Sequence, residues 1–547
     1  MTAADSLAAG RTALGIELGS TRIKACLVDA DDPSSVLATG AHEWENRLAD
    51  GLWTYDLADV WAGLQASYAD LVRDAESRHG VRPTTFGAIG VSAMMHGYLA
   101  FDGHGELLVP FRTWRNTSTG VASAELTELF GLNIPLRWSI AHLHQAVLDG
   151  EPHVPDVRFV TTLAGYVHWR LTGEKVLGVG DASGMFPIDS ATRDYDAFLL
   201  ATYDGLAAGR IPALSTLLPR VLTAGSPGGA LTAEGAGLLD PTGSLAAGIP
   251  FCPPEGDAGT GMVATNAVAP RTGNVSAGTS IFAMVVLERP LESVHHELDL
   301  VTTPCGDAVA MVHCNNGASE LGAWAGLFGR FAAALSGRPR AALSEGSAAA
   351  AGTAVDTDAV FDVLLREALD GDADAGGLLA YNQLAGEPIV GLDEGRPLVV
   401  RTPDSAFTLG NFARAQVYGV FATLALGMRV LDAEGVELDR MFAHGGLFRT
   451  AGVAQRFLAA ALDAPVAVGD SASEGGAWGI AVLAAYARAA SGASLAAYLD
   501  DRVFSGAAID IADPDPSDVA GFAAYLDRYR AGLAVEAAAA RTLATGR

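Results

Sequence analysis

A chain of 547 residues, half of them hydrophobic, is long enough for two large domains and too apolar to be disordered. Its formal net charge of −28 sets the surface against phosphate backbones, which makes nucleic acid a poor partner. Neither an apolar signal-type region at the N-terminus nor an uninterrupted apolar run of about 20 residues occurs, so the expectation is a cytoplasmic protein with no membrane partner. The cysteines, Cys26, Cys252, Cys305 and Cys314, lack C-x-x-C spacing and are expected to be reduced and mostly buried.

In chain order, residues 13–18 predict a strand, Gly19-Ser20-Thr21 a tight turn, and 22–29 a second strand with alternating faces. A third strand is expected near 36–44. Helical spacing of Leu57, Val60, Trp61, Leu64, Tyr68, Leu71 and Val72 predicts a helix over 56–78 capped by Asp56, and 86–92 reads as a short apolar strand. The same grammar returns about 260 residues later: 273–287 reads as strand, glycine turn, strand, and 299–303 with 308–313 as a following hairpin. Two α/β domains from an internal duplication are the simplest account, with a boundary near 265. Residues 332–358 are weakly patterned helix and loop, while helices at 411–430 and 474–488 are expected in the second domain.

Four segments carry candidate chemistry. The first is Gly15 to Thr21, where a glycine–hydroxyl turn could cradle phosphate oxygens and Glu17 could hold a divalent cation. Ala277-Gly278-Thr279-Ser280 repeats that turn, and two such turns at equivalent places suit one polyphosphate. In Glu255-Gly-Asp-Ala-Gly-Thr-Gly261, Asp257 is either a helix N-cap or a carboxylate able to take a proton from an attacking hydroxyl. Finally, the strand 440–443, the pair Gly445-Gly446 and a helix through Val453 and Leu462 would let a flat base lie against bare backbone. Glu474-Gly-Gly-Ala-Trp-Gly479 opens a further helix whose small residues permit close packing.

Taken together, these motifs resemble the FGGY family of carbohydrate kinases from about Leu14 to Tyr486. Ser92-Ala-Met-Met-His-Gly97 is similar to the sugar-binding strand end of xylulose kinases, and Thr113-Trp-Arg-Asn-Thr117 resembles the next sugar-facing segment. Leu163 to Gly173, Asp181 to Asp189 and Asn315-Asn-Gly-Ala-Ser319 also follow family patterns. The resemblance implies a duplicated actin-like ATPase (ribonuclease H-like) α/β fold, spanning 1–265 and 266–547 around a cleft. It also implies ATP-dependent phosphorylation of a small sugar, a ketopentose such as xylulose. Asp257 would be the catalytic base, Met95, His96, Gly97, Trp114 and Asn116 would face the sugar, and Glu17 with Asp257 would hold Mg²⁺. Gly19, Ser20, Thr21, Gly278, Thr279, Ser280, Gly445 and Gly446 would bind ATP. A homodimer is an expectation of family resemblance only. Departures are Glu17, Asn116 and Gly165, each standing where an Asp is usual. They fall more on the substrate side than the phosphate side. Alternatives are a kinase for ribulose, gluconate, erythritol or another polyol, and a non-kinase regulatory ATPase of the same fold.

Overall fold

The computed structural model describes residues 2–336, 357–469, 475–489 and 492–543. The chain forms two compact units: Met1–Pro270, Val286–Ala310 and Asp470–Ala508 make the first, and Arg271–Val285, Met311–Gly469 and Ile509–Arg547 the second.

In the first unit, β1 (Thr12–Leu18) and β2 (Arg22–Asp29) form an antiparallel hairpin, with β3 (Val36–Glu43) antiparallel beside β2. On the other side β4 (Ala88–Ala93) runs parallel to β1, and β5 (Glu255–Gly256) parallel to β4. The order is therefore β5–β4–β1–β2–β3. Helix α1 (Leu57–His79) begins as its sequence demands, with the Asp56 carboxylate accepting from the Ala58 N–H at 2.8 Å, and ends at a left-handed Gly80. Its buried stripe, Val60, Leu64, Tyr68, Leu71, Val72 and Ala75, packs into the core of this sheet.

The opposite face of β1 is covered by α7 (Gly475–Ala489), seven helices being labelled here in chain order. The approach is so close that a Cβ on Gly15 would overlap the carbonyl oxygen of Ala477. With helices on both faces, the strands read as nearly continuous apolar runs rather than alternating ones. Helix α7, the one expected at 474–488, packs on the first sheet, so by contact the two compact units interleave. Glu474 and residues 337–356 lie outside the described residues.

The second unit repeats the topology. The hairpin β6 (Thr272–Ala277) and β7 (Ile281–Val286) is antiparallel, and β9 (Arg440–His444) runs parallel to β6. With β8 (Ala308–Cys314), β10 (Val466–Gly469) and β11 (Ile509–Ala512), the order is β8–β7–β6–β9–β10–β11. Antiparallel hairpin, third strand on one side, parallel strands on the other: the arrangement matches the first sheet strand for strand as far as β10. A further strand occupies Leu298–Thr302.

Helices of this unit are α4 (Ser319–Leu335), α5 (Leu409–Ala433) and α6 (Val453–Leu462). Two helices of the first unit, α2 (Leu163–Thr172) and α3 (Asp257–Ala264), position the site below. Among the described residues no helix is long and apolar enough to cross a membrane.

Candidate functional site

In the first unit, the ends of β1, β4 and β5 align Glu17, Ser92 and Glu255 as lateral neighbours. Two inter-strand steps separate Glu17 from Glu255, about 10 Å between Cα atoms. The chain leaves β5 directly into α3, whose first residue is Asp257. One carboxylate oxygen of Asp257 accepts from the Met95 N–H at 3.2 Å. So Asp257 and the Met95-His96-Gly97 segment, expected from separate motifs, stand side by side.

The Asp257 side chain is open to solvent but surrounded by protein, as in a recess. Loss of bulk water around it pushes its pKa up to about 6, opposed by the hydrogen bonds from Met95 and Ala258 and by the Arg137 guanidinium. Arg137 is itself paired with Asp299, which also accepts from Asn133 at 3.3 Å. Behind Asp257 lie two fully buried carboxyls. Asp181 accepts from the Thr162 hydroxyl at 2.6 Å, and Glu255 from the Asp181 N–H at 3.0 Å. Burial first, then mutual repulsion, pushes Glu255 up to about 8; burial, with a smaller contribution from Asp257, pushes Asp181 up to about 7.

His96 adopts φ +70, uncommon for a residue with a Cβ, and its Nδ1 lies 3.2 Å from the Gly184 carbonyl. The backbone here is fastened from both sides: the Ser139 hydroxyl donates to the Gly97 carbonyl at 2.6 Å, and the Gly97 N–H to the Arg137 carbonyl at 3.2 Å. Trp114 is 37% exposed, so its ring is available. Asn116 is not placed in the same way. It is buried, its Oδ1 accepts from the Trp53 N–H at 2.9 Å, and its Nδ2 donates to the carbonyls of Trp53 at 2.8 Å and Thr113 at 3.0 Å. That uses three of the four hydrogen-bonding positions of an amide on the protein's own backbone.

The Gly19–Thr21 turn is stiffened from beneath. The Gly19 N–H donates to the Arg22 carbonyl at 3.0 Å; the Trp44 indole N–H donates to the Gly19 carbonyl at 2.7 Å, and the Tyr55 hydroxyl to the Ser20 carbonyl at 2.6 Å. Ser20 and Thr21 are exposed. Glu17 is half-buried; its carboxylate and the Thr260 hydroxyl crowd the space above Gly476 at the start of α7. The Thr260 hydroxyl also meets that of Ser92 at 3.1 Å.

In the second unit the Gly278–Ser280 turn is one residue tighter. The Gly278 N–H bonds the Ser280 carbonyl at 2.9 Å, while Gly317 and Ala318 donate backbone N–H groups to the carbonyls of Thr279 and Gly278 at 2.7 and 2.8 Å. Gly445 sits against the strand that leads into this turn. It has φ +110, and a Cβ there would overlap the carbonyl oxygen of Ala277. The glycine pair and the second turn are therefore adjacent, though 165 residues apart in sequence.

Among the described residues no group of three or more His, Cys, Asp or Glu side chains could hold a metal ion. Mg²⁺ needs no such cage: it is commonly held by one or two carboxylates together with substrate phosphates. Glu17, near the end of β1, and Asp257, directly after β5, are carboxylates of the kind it takes.

The supporting residues, Trp44, Tyr55, Arg137, Asp181, Glu255 and Thr260, carry no local sequence signal of their role. Glu255, Thr260 and Asp181 fall within the motifs named above, where residue type and spacing assign them no role, and the aromatics lie in stretches with no pattern.

Comparison with known proteins is decisive for the family. The N-terminal domain of the FGGY family of carbohydrate kinases matches residues 12–263, and its C-terminal domain matches residues 273–488. The chain belongs to the FGGY family of carbohydrate kinases.

Among curated proteins, the chain is 26% identical over 298 residues to a xylulose kinase of Streptomyces coelicolor, covering 52% of this chain and 56% of that protein. It spans about half the length of the curated relatives it matches. Among solved structures, a xylulose kinase from Rhodospirillum rubrum superposes with a TM-score of 0.75 at 23% identity, covering 96% of this chain and 99% of that one. A gluconate kinase from Lactobacillus acidophilus does so with a TM-score of 0.75 at 17% identity, covering 97% and 99%. These structural likenesses establish the fold. Together with the family match, they give the chain the duplicated actin-like ATPase fold that the resemblance implied.

Proposed function

We propose that this FGGY chain is a cytoplasmic kinase that transfers the γ-phosphoryl group of ATP to a hydroxyl of a small sugar, a ketopentose such as xylulose. The observation that carries the reading is Asp257: a solvent-accessible carboxylate in a recess, held by the Met95 N–H next to the Met-His-Gly segment. Free cysteines among the described residues suit a reducing compartment.

Asp257 accepts the proton of the attacking hydroxyl. A base with its pKa near 6 stays ionised at neutral pH yet binds a proton better than an ordinary aspartate does. Met95, His96 and Gly97 frame the acceptor, and Trp114 offers an aromatic wall. Arg137, paired to Asp299, keeps a positive charge close to Asp257 and favours its ionised form.

We assign Asn116 a supporting role: it ties the 113–116 turn to the Leu52–Thr54 strand and so sets where Trp114 stands. In the first unit the phosphate donors are the N–H groups and hydroxyls of Ser20 and Thr21, in the second those of Thr279 and Ser280; Gly19 and Gly278 shape the turns, and Gly445 with Gly446 receives the adenosine. Mg²⁺ held by Glu17 and Asp257 would neutralise charge on the phosphates.

The test is ADP release across xylulose, ribulose, fuculose, gluconate and erythritol. Release stimulated by one acceptor supports the kinase reading and names the sugar. Slow release indifferent to every acceptor would mark a regulatory ATPase instead.

A further inference from the structure

A network in the second unit is built around one buried carboxyl that no step above uses. Asn316 is buried, and its side chain is fully engaged. Its Oδ1 accepts from the N–H groups of Leu384 at 2.9 Å and Ala385 at 3.0 Å, and its Nδ2 donates to the Ala385 carbonyl at 3.3 Å and to Glu387 Oε2 at 3.0 Å. Glu387, fully buried, accepts again from the Asn316 backbone N–H at 3.3 Å. Asn382 closes the loop by donating to the carbonyls of Asn316 at 3.2 Å and Gly317 at 2.8 Å. The two residues after Asn316 are Gly317 and Ala318, whose N–H groups hold the carbonyls of Thr279 and Gly278. A continuous set of hydrogen bonds therefore runs from Glu387 through Asn316 to the turn at Gly278–Ser280.

We propose that Glu387 is a positioning residue for that turn: acting through Asn316, it sets the affinity of the second unit for the phosphates of a nucleoside di- or triphosphate. The inference rests on reading the turn as a phosphate site. The reason is geometric. The turn presents the N–H groups of Thr279 and Ser280 outward only while the carbonyls of Gly278 and Thr279 are drawn inward by Ala318 and Gly317, and that strip of backbone is oriented by Asn316. A carboxylate suits the end of this chain because it accepts from both Asn316 donors. Without it, two buried donors are left unpaired, and the strip is free to turn toward other acceptors.

The experiment uses the full chain and measures ADP, ATP and adenosine binding by calorimetry alongside steady-state kinetics. Glu387→Ala should weaken ADP and raise the KM for ATP about tenfold, the equivalent of losing one charge-assisted hydrogen bond. The KM for the sugar should stay within about twofold, since that site lies in residues with no hydrogen bond to this network. Adenosine, which has no phosphate, should bind Glu387→Ala as it binds the wild type. Glu387→Gln should restore ADP affinity, because its amide oxygen can accept from the same two donors.

Equal weakening of adenosine and ADP would overturn the proposal and leave Glu387 a folding residue only. Unchanged ADP affinity in Glu387→Ala would overturn it as well. Should Glu387→Ala fail to fold, Asn316→Ser carries the same prediction with the same overturning results. If the wild type phosphorylates a sugar and the variants bind ADP normally, this inference alone falls. If the wild type binds no nucleotide, the phosphate reading of the turn falls with it.

Discussion

The two glycine–hydroxyl turns, Gly19–Thr21 and Gly278–Ser280, occupy equivalent places in equivalent hairpins but are held by different means. In both, the first glycine folds its own N–H inward, onto Arg22 in one and Ser280 in the other. In both, turn carbonyls are tied to the protein beneath the turn. The first turn does this chiefly with side chains, the Trp44 indole on Gly19 and the Tyr55 hydroxyl on Ser20, joined by the Trp44 main-chain N–H on Thr21. The second does it with main-chain N–H groups at the entrance to α4. What a fold preserves through duplication here is the direction of the turn's donors rather than the residues that impose it. One consequence is that the first turn can be loosened by editing a single side chain, whereas the second can be reached only through what orients residues 316–318.

The largest expected effect touches neither turn. Asp257→Asn should lower sugar phosphorylation by about 10²–10⁴-fold, the usual worth of a general base, and leave ADP affinity unchanged in calorimetry. Full turnover in that variant would move the chemistry elsewhere and make the comparison of the turns irrelevant to catalysis. Next, Gly445→Val should weaken ADP binding by about a hundredfold, because a branched residue at φ +110 must displace the end of β6. Normal affinity would separate the glycine pair from the second turn.

The side-chain-held turn is broken more gently. Trp44→Phe and Tyr55→Phe each remove one donor while keeping the stacked ring pair, whose centroids are 4.1 Å apart. Each should raise the KM for ATP roughly three- to tenfold, as expected for one neutral hydrogen bond. No change in either would mean the first turn keeps its form without them.

The dependence on pH sharpens the account of the recess. Asp257 works as a base only when ionised, so kcat/KM should fall about tenfold per unit as pH drops below the value near 6. A limb near pH 4 would mean the recess does not perturb it.

The smallest effect concerns stability. Asp181 and Glu255 are raised to about 7 and about 8, so between about pH 4 and those values the folded chain keeps protons that the unfolded chain has released. Stability contributed by these groups is present below the unfolded values and is lost as pH rises through that window. Asp181→Asn should flatten the fall in melting temperature from pH 5 to pH 8. An equal or steeper fall would show that Asp181 is already ionised in the fold.

Much of this was legible in the chain itself. The hairpins at 12–29 and 272–286, the Asp56-capped helix and the repeat between halves all rest on local rules: alternation, capping and glycine at turns. Those are interactions between residues a few positions apart, which a linear sequence displays directly. Asp257 between glycines at a helix start belongs to the same class.

Other features depend on residues far apart in the chain. Asn116, expected to face the sugar, has most of its amide engaged by a partner that is distant in sequence, Trp53, 63 residues away. Helix α7 follows the second hairpin by nearly two hundred residues yet packs on β1, because Gly15 offers a surface bare enough to receive it. The raised carboxyl pair, the inward pull on each turn and the Glu387 network likewise exist only once distant segments are packed. Burial and hydrogen-bond pairing are properties of the assembled chain, and no periodicity along the sequence encodes which far residue will supply the partner.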